Sequence, residues 1–163
     1  MQNRIKTYTE HDALLKLSAL CAVAEYCRAD MQRKMRNWQI SPDPEQDAEA
    51  KERILSRLLN EGFIDEERYA GAFVRDKFRY NRWGRTRIQQ ELRLKGIDAE
   101  TIAQALQELP DDDEQETLRQ LLDNKRRTVK GRNDYEINMK LIRFALSRGF
   151  SMDTISKVLK TEV

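Results

Sequence analysis

Glycine and proline are scarce in this chain, with six and three copies among 163 residues, and aromatic residues make up only 7%. Ala, Leu, Glu, Lys, Arg and Gln dominate instead, and these are good helix formers. The alternation of Val, Ile and Thr that is typical of strands is nearly absent. The loops are also shorter than a strand crossover. The sequence therefore predicts an all-α protein without a sheet.

Histidine is represented by a single residue, and the usual signatures of enzymes are missing. His11 has no second histidine and no C-x-x-C motif to complete a zinc site. The sequence contains neither a phosphate-binding loop nor a G-x-G-x-x-G motif, and its serines lack a plausible set of His and Asp partners. We therefore expect no catalytic residue, no metal site and no cofactor, and an enzyme is the least favoured class.

No segment approaches the ~20 consecutive apolar residues that a membrane helix needs. The first ten residues, MQNRIKTYTE, lack the apolar core of a signal peptide. The two cysteines, Cys21 and Cys27, are expected to be reduced and to pack as small apolar side chains. These absences predict a soluble cytoplasmic protein that makes no contact with a membrane, and we expect it to be a monomer.

Apolar residues recur at helical spacing in about nine segments, which glycines and prolines separate. In the N-terminal part, this spacing predicts helices over residues 11–26, 29–39 and 44–61. The whole pattern divides into three rounds of three helices, which gives three predicted modules: residues 1–62 with an N-terminal extension, residues 63–109, and residues 110–163.

An internal repeat supports this division. Residues 96–106 (GIDAETIAQAL) align with residues 149–159 (GFSMDTISKVL), and each copy reads glycine, apolar residue, helix cap. The glycine supplies the left-handed turn after one helix, and the polar residue caps the next. A single module of this size has little core of its own, so we expect neighbouring modules to pack in a tandem array.

Positive charge is concentrated in the middle module, although the net charge of the chain is only +2. A second basic run follows in the third module, and Tyr80 and Trp83 lie within the first run. Scattered charge usually marks a solvated helix face, but clustering near two equivalent turns favours a surface that faces an anion. Phosphates and acidic protein surfaces would both satisfy it. The candidate residues are Arg75, Lys77, Arg79, Arg82, Arg85, Arg87, Arg93, Lys95, Lys125, Arg126 and Arg127.

Two other features have simpler interpretations. The acidic residues 111–116 could bind a cation, but at the start of a helix they more often complement the helix dipole. Short helices joined by glycine turns also resemble a helix-turn-helix, in which Arg87, Gln90, Glu91 and Leu94 would be the base-reaching positions. No helix in the sequence is distinctive enough to make this second interpretation strong.

The order of motifs in the middle of the chain resembles the central block of RecX proteins. The matching segments are residues 65–70 (DEERYA), residues 73–75 (FVR) and residues 84–97 (GRTRIQQELRLKGI). Upstream, residues 25–31 (EYCRADM) are similar to a second motif of that family, with Cys27 in place of the usual serine. The resemblance covers residues 12–109 well, whereas the third module matches mainly in layout.

This resemblance implies tandem three-helix repeats in an elongated, curved array. It also implies a non-enzymatic regulator that binds the RecA recombinase and the RecA–DNA filament, and that mainly inhibits the recombinase, ATPase and coprotease activities of RecA. Such a role belongs to recombination, DNA repair and the SOS response. Affinity for single-stranded or double-stranded DNA is implied for some members.

A second hypothesis remains open at this point. A stand-alone DNA-binding helical repeat protein, such as a transcriptional repressor, would also need the basic surface. In either case we expect much of the family motif to hold the middle module together rather than to touch a partner. This structural set is Tyr69, Gly84, Ile88, Leu92, Gly96 and Ile97.

Overall fold

A computed structural model describes residues 4–161 of the chain. About 69% of the described part is helical, and it contains nine helices. None of these helices is both long enough and apolar enough to cross a membrane. The all-α prediction and the predicted number of helices are confirmed. The helices are α1 (Glu10–Cys21), α2 (Arg28–Lys34), α3 (Pro44–Asn60), α4 (Glu66–Arg79), α5 (Arg85–Leu94), α6 (Ala99–Gln107), α7 (Asp111–Arg126), α8 (Asp134–Ser147) and α9 (Met152–Thr161).

The expectation that the chain has no sheet is wrong. Two short strands, β1 (Lys6–Thr7) and β2 (Trp38–Gln39), pair in parallel. The backbone N–H of Lys6 donates to the carbonyl of Asn37 at 2.9 Å, and that of Tyr8 to the carbonyl of Gln39 at 3.1 Å. Helices α1 and α2 together form the crossover that a parallel pair requires, so the short loops of the chain do not exclude this pairing.

The first two helices are shorter than the spacing predicts. Helix α1 ends at Cys21 rather than near residue 26, with Ala22 as its C-cap, and the chain is extended at Cys27, the N-cap of α2. Helix α2 ends at Lys34, and the predicted last residues of this helix, Trp38 and Gln39, form β2 instead. Trp38 is buried, so its side chain contributes to the core from a strand rather than from the predicted helix.

Side-chain caps explain where several helices begin. Asp43 accepts the backbone N–H of Gln46 at 3.1 Å and precedes Pro44, whose missing N–H costs nothing in a first helical turn. Asp98 accepts the N–H of Thr101 at 2.8 Å at the start of α6. The Asp98 cap agrees with the cap position predicted from the internal repeat.

The described part of the chain separates into two compact units. The first unit takes in Met1–Ala70 and Lys95–Ile97. Its core comes from α1, α2 and α3, whose apolar faces bury one another. The fully buried members include Leu17, Met31, Met35, Ile54, Leu55, Leu58 and Ile64.

The second unit takes in Gly71–Leu94 and Asp98–Val163. Its helices α7, α8 and α9 surround a core of Leu118, Leu122, Leu141, Ala145, Phe150, Ile155 and Val158. Ile88 and Leu92 of α5 are also fully buried, as predicted for the structural part of the motif. The three-module division at residues 62 and 109 stays a prediction, and its outermost positions, 1–3 and 162–163, lie outside the described residues.

Candidate binding surface

Trp83 lies between two cations in the second unit. It follows α4 in the turn to α5, where its backbone N–H donates to the carbonyl of Lys77 at 3.2 Å. The ammonium of Lys77 lies 5.0 Å from the centre of the indole ring, and the guanidinium carbon of Arg87 lies 4.1 Å from it. Phe73 approaches the same ring edge-on at 6.4 Å. The indole therefore holds two predicted site residues in fixed positions by cation–π contacts.

Phe144 of α8 has a similar environment. The ammonium of Lys125, near the end of α7, lies 5.2 Å from the centre of its ring. The guanidinium carbon of Arg148, just past the end of α8, also lies 5.2 Å from that centre. A second aromatic ring thus positions two further cations.

The two groups are joined through the turns that follow α4 and α8. The guanidinium of Arg87 donates to the carbonyl of Ser147 at 3.3 Å, and the backbone N–H of Gly84 donates to the carbonyl of Arg148 at 2.9 Å. Tertiary packing therefore brings basic residues of α4 and α5 and basic residues at the ends of α7 and α8 onto one surface of the second unit. We call this surface the basic strip, and it consists of Lys77, Trp83, Arg87, Lys125, Phe144 and Arg148.

The cations of the basic strip carry charge that the chain does not neutralise. Within residues 4–161, none of the four forms an ion pair with a carboxylate. Each side chain remains at least partly accessible. A set of positioned, uncompensated cations attracts a negatively charged partner more strongly than cations that are already paired.

Arg85 was predicted to face a partner, but the structure directs it inward. Its guanidinium bonds to the carboxylate of Asp111 and to the carbonyl of Leu109. The side chain is 28% exposed, and its Nε lies 3.8 Å from the carboxylate of Glu114, which is only 4% exposed. Glu114 also accepts the backbone N–H of Arg85 and the hydroxyl of Thr154, each at 3.2 Å. This acidic segment therefore anchors α5 within the unit.

Lys95 belongs to the first unit rather than to the basic strip. Its ammonium lies 2.6 Å from the carboxylate of Asp30, and both side chains are largely buried. Burial alone would raise the pKa of Asp30, but hydrogen bonds from Lys95 and from the N–H of Cys27 more than offset it and lower the pKa. Burial, together with the negative charge of Asp30, raises the pKa of the neighbouring Tyr69.

The remaining predicted site residues are exposed and less constrained. Arg75 pairs with Glu108 at 3.6 Å, and Arg126 lies 3.9 Å from Asp123. Arg79 lies over the ring of Tyr80. The last three are exposed: Arg82 lies in the turn between α4 and α5, Arg93 lies in α5, and Arg127 is the C-cap of α7.

Two residues of the basic strip, Phe144 and Arg148, are absent from the candidates predicted from the sequence, and the sequence also does not predict that Glu114 is the buried partner of Arg85. The repeat alignment contained a signal for Arg148, because this residue precedes Gly149 as Lys95 precedes Gly96. The sequence carries no comparable signal for the contact of Phe144 with Lys125 or for those of Glu114 with Arg85 and Thr154, because these partners lie 19 to 40 residues away in the chain. Within the described residues, no group of His, Cys, Asp and Glu side chains could hold a metal ion.

Two protein-family models match this chain. Residues 65–106 match the model described as "RecX, second three-helix domain". Residues 111–159 match the model described as "RecX, third three-helix domain". Together the two matches extend over more than half of the sequence, and they include all residues of the basic strip.

Curated relatives carry the same family name. The chain is 29% identical over 107 residues to "Regulatory protein RecX" of Bacillus cytotoxicus, a match that covers 66% of this chain and 40% of the relative. It is 29% identical over 119 residues to "Regulatory protein RecX" of Clostridium botulinum, covering 72% of this chain and 55% of the relative. The chain thus spans about two fifths to one half of the length of these relatives.

Two solved structures share the fold. "Crystal structure of regulatory protein RecX" superposes with a TM-score of 0.80 at 22% sequence identity, covering 93% of this chain and 71% of that one. RecX from Lactobacillus salivarius superposes with a TM-score of 0.72 at 20% identity, covering 93% and 97%. At this level of identity the likeness concerns the fold.

Proposed function

Because this chain belongs to the RecX family, we propose that it binds the RecA recombinase and the filament that RecA forms on DNA, and that it restrains their activities. The RecX relatives named above are regulatory proteins, and this chain's contribution is binding rather than chemistry. Nucleotide hydrolysis would belong to RecA. The chain would lower the recombinase, ATPase and coprotease activities by occupying the filament.

The observation that carries this proposal is the basic strip. A filament of protein wound on DNA presents negative charge from phosphates and from acidic side chains. Lys77, Arg87, Lys125 and Arg148 are positioned in advance by two aromatic rings, so little side-chain freedom is lost when they bind. Their lack of carboxylate partners within the described chain leaves their full charge available.

A repetitive partner such as a filament matches the predicted division of the chain into three modules, residues 1–62, 63–109 and 110–163. A row of small helical modules can contact successive subunits of a filament. Each contact is then weak by itself, but contacts on one chain add by avidity, which raises affinity by orders of magnitude when several engage together. We therefore expect binding to an assembled filament to be much tighter than binding to a single RecA subunit.

The proposal is tested by measuring RecA ATPase activity and strand exchange on single-stranded DNA with and without the purified chain. We expect both activities to fall as the chain is added. Unchanged activities at saturating concentrations of the chain would overturn the proposal.

A pair of matched variants tests whether the basic strip is responsible. Lys77→Gln combined with Arg87→Gln removes two strip cations, whereas Arg93→Gln combined with Arg127→Gln removes two exposed cations outside it. We expect the first pair to weaken filament binding on the order of tenfold, about 1.4 kcal/mol, and the second to change it little. Equal losses would mean that general positive charge, and not the strip, binds the filament. Circular dichroism checks that both variants fold.

A stand-alone DNA-binding protein is the alternative. Of the predicted base-reaching positions, Gln90 and Leu94 are exposed on α5 and Glu91 is half-buried, whereas Arg87 is held against Trp83 and Ser147. This alternative predicts sequence-specific binding to duplex DNA in the absence of RecA, with a steep dependence on salt. A gel-shift assay on random and selected duplexes without RecA separates the two functions.

A further inference from the structure

Helix α8 has apolar side chains on two opposite faces. One face buries Leu141 in the core of the second unit. The opposite face leaves Tyr135, Met139 and Leu146 exposed at 72%, 36% and 45%, with the half-buried Ile142 on the same stripe. Ile142 packs against the core of the unit with part of its side chain, whereas Tyr135, Met139 and Leu146 leave much of their apolar surface exposed, and that surface needs another explanation.

The spacing of the exposed stripe identifies the kind of surface that fits it. Tyr135, Met139, Ile142 and Leu146 follow one another at intervals of four, three and four residues. This is the alternation of d and a positions in a heptad, which forms the contact line between two helices. We call these four residues the α8 seam. Its partner is therefore expected to be another helix with a matching apolar line.

The charges beside the seam favour a second copy of the same helix. Glu136 and Arg143 occupy the e positions, whereas the g positions are Asn138 and the buried Ala145. In an antiparallel pair of helices, e positions face e positions of the partner, so Glu136 of each copy would face Arg143 of the other. In a parallel pair, e positions face g positions, and neither charge would meet an opposite charge.

We propose that two copies of this chain associate through antiparallel α8 seams. The inference rests on the second unit alone and is independent of RecA. A contact of only four apolar residues per copy buries less than the roughly 1,200 Å² of a stable interface. We therefore expect a weak dimer, with a dissociation constant of about 0.1 mM. The monomer predicted from the sequence is then the species at low concentration.

Sedimentation equilibrium from roughly 10 µM to 1 mM tests the association. The average mass of the wild-type chain should rise toward that of a dimer, and Leu146→Lys should keep the chain monomeric throughout. Leu94→Lys is the matched control, because Leu94 is 81% exposed in the same unit but lies outside the seam. A wild-type chain that stays monomeric would overturn the proposal. A Leu94→Lys variant that stays monomeric, as expected for Leu146→Lys, would overturn it as well.

Charge exchange tests the antiparallel arrangement. Glu136→Arg alone and Arg143→Glu alone should each weaken self-association at least fivefold, because each variant places like charges opposite one another. An equimolar mixture of the two variants restores both attractive pairs and should associate more tightly than either variant alone. No gain on mixing would contradict the arrangement. Circular dichroism is needed for Glu136→Arg, since Glu136 also accepts the backbone N–H of Arg132 at 2.9 Å.

Discussion

Gly84 and Gly149 lie so close together in the second unit that neither position has room for a side chain. A Cβ atom on Gly84 would lie 2.6 Å from the carbonyl carbon of Gly149, and a Cβ atom on Gly149 would lie 2.7 Å from the backbone nitrogen of Arg87. The N–H of Thr86 also donates to the carbonyl of Gly149 at 3.0 Å. The turns after α4 and α8 therefore rest directly on each other, and this contact aligns the two halves of the basic strip.

Gly84→Ala should lower the free energy of unfolding by about 2–4 kcal/mol, since backbone atoms would have to move apart. Gly96→Ala is the matched control: a Cβ there meets nothing within 4 Å, and only the positive φ of +78° opposes it, at about 1 kcal/mol. Urea denaturation measures both values. Equal losses in the two variants would show that the close approach of the turns does not matter.

Arg85→Met should destabilise the second unit by about 3 kcal/mol, because Glu114 would remain buried without its positive partner. Adding Glu114→Gln should recover part of this loss, since a neutral amide is cheaper to bury. Thermal unfolding of the single and double variants measures the recovery. Arg82→Met, at an exposed position, is the control and should leave the midpoint of thermal unfolding unchanged. An Arg85→Met variant as stable as the wild type would contradict the inward role of Arg85.

Lys95→Met should destabilise the protein by about 2 kcal/mol at neutral pH. Asp30 has a lowered pKa in the folded protein, so its ionised form contributes stability above the unfolded pKa of about 3.9, and this contribution disappears as the pH falls through the folded pKa. The difference between variant and wild type should therefore narrow in acid. Urea titrations at several pH values test this, with the exposed Lys157→Met as control. A difference independent of pH would exclude the ion pair as its cause.

Arg82→Gly should raise the free energy of unfolding by about 0.5–1 kcal/mol. Arg82 adopts a φ of +54°, in the left-handed region. This backbone conformation is energetically unfavourable for residues with a Cβ atom, whereas glycine adopts it readily. Arg82→Lys should bring no such gain, because it keeps the Cβ atom. Thermal denaturation compares the two, and a loss of stability in Arg82→Gly would mean that the arginine side chain stabilises the turn.

Much of the fold was predictable because its causes are local. Helix formers at regular spacing, caps such as Asp43 and Asp98, and the glycines after helices specify nine helices without knowledge of the tertiary structure. The failures lie where distant segments meet. Trp38 and Gln39 form a strand because Lys6 and Thr7, about thirty residues earlier, provide backbone partners, and no local pattern announces such a partner.

The sequence by itself determined the helical class, the internal repeat, the resemblance to RecX and the basic character of the middle of the chain. Only the tertiary structure decided which cations face outward. Arg85 and Lys95 look like their neighbours in sequence, yet buried carboxylates of Glu114 and Asp30 hold them inward, while Lys77 and Arg87 are held on the surface by Trp83. A charge's role depends on what lies within a few ångströms of it, and that neighbourhood is assembled by folding.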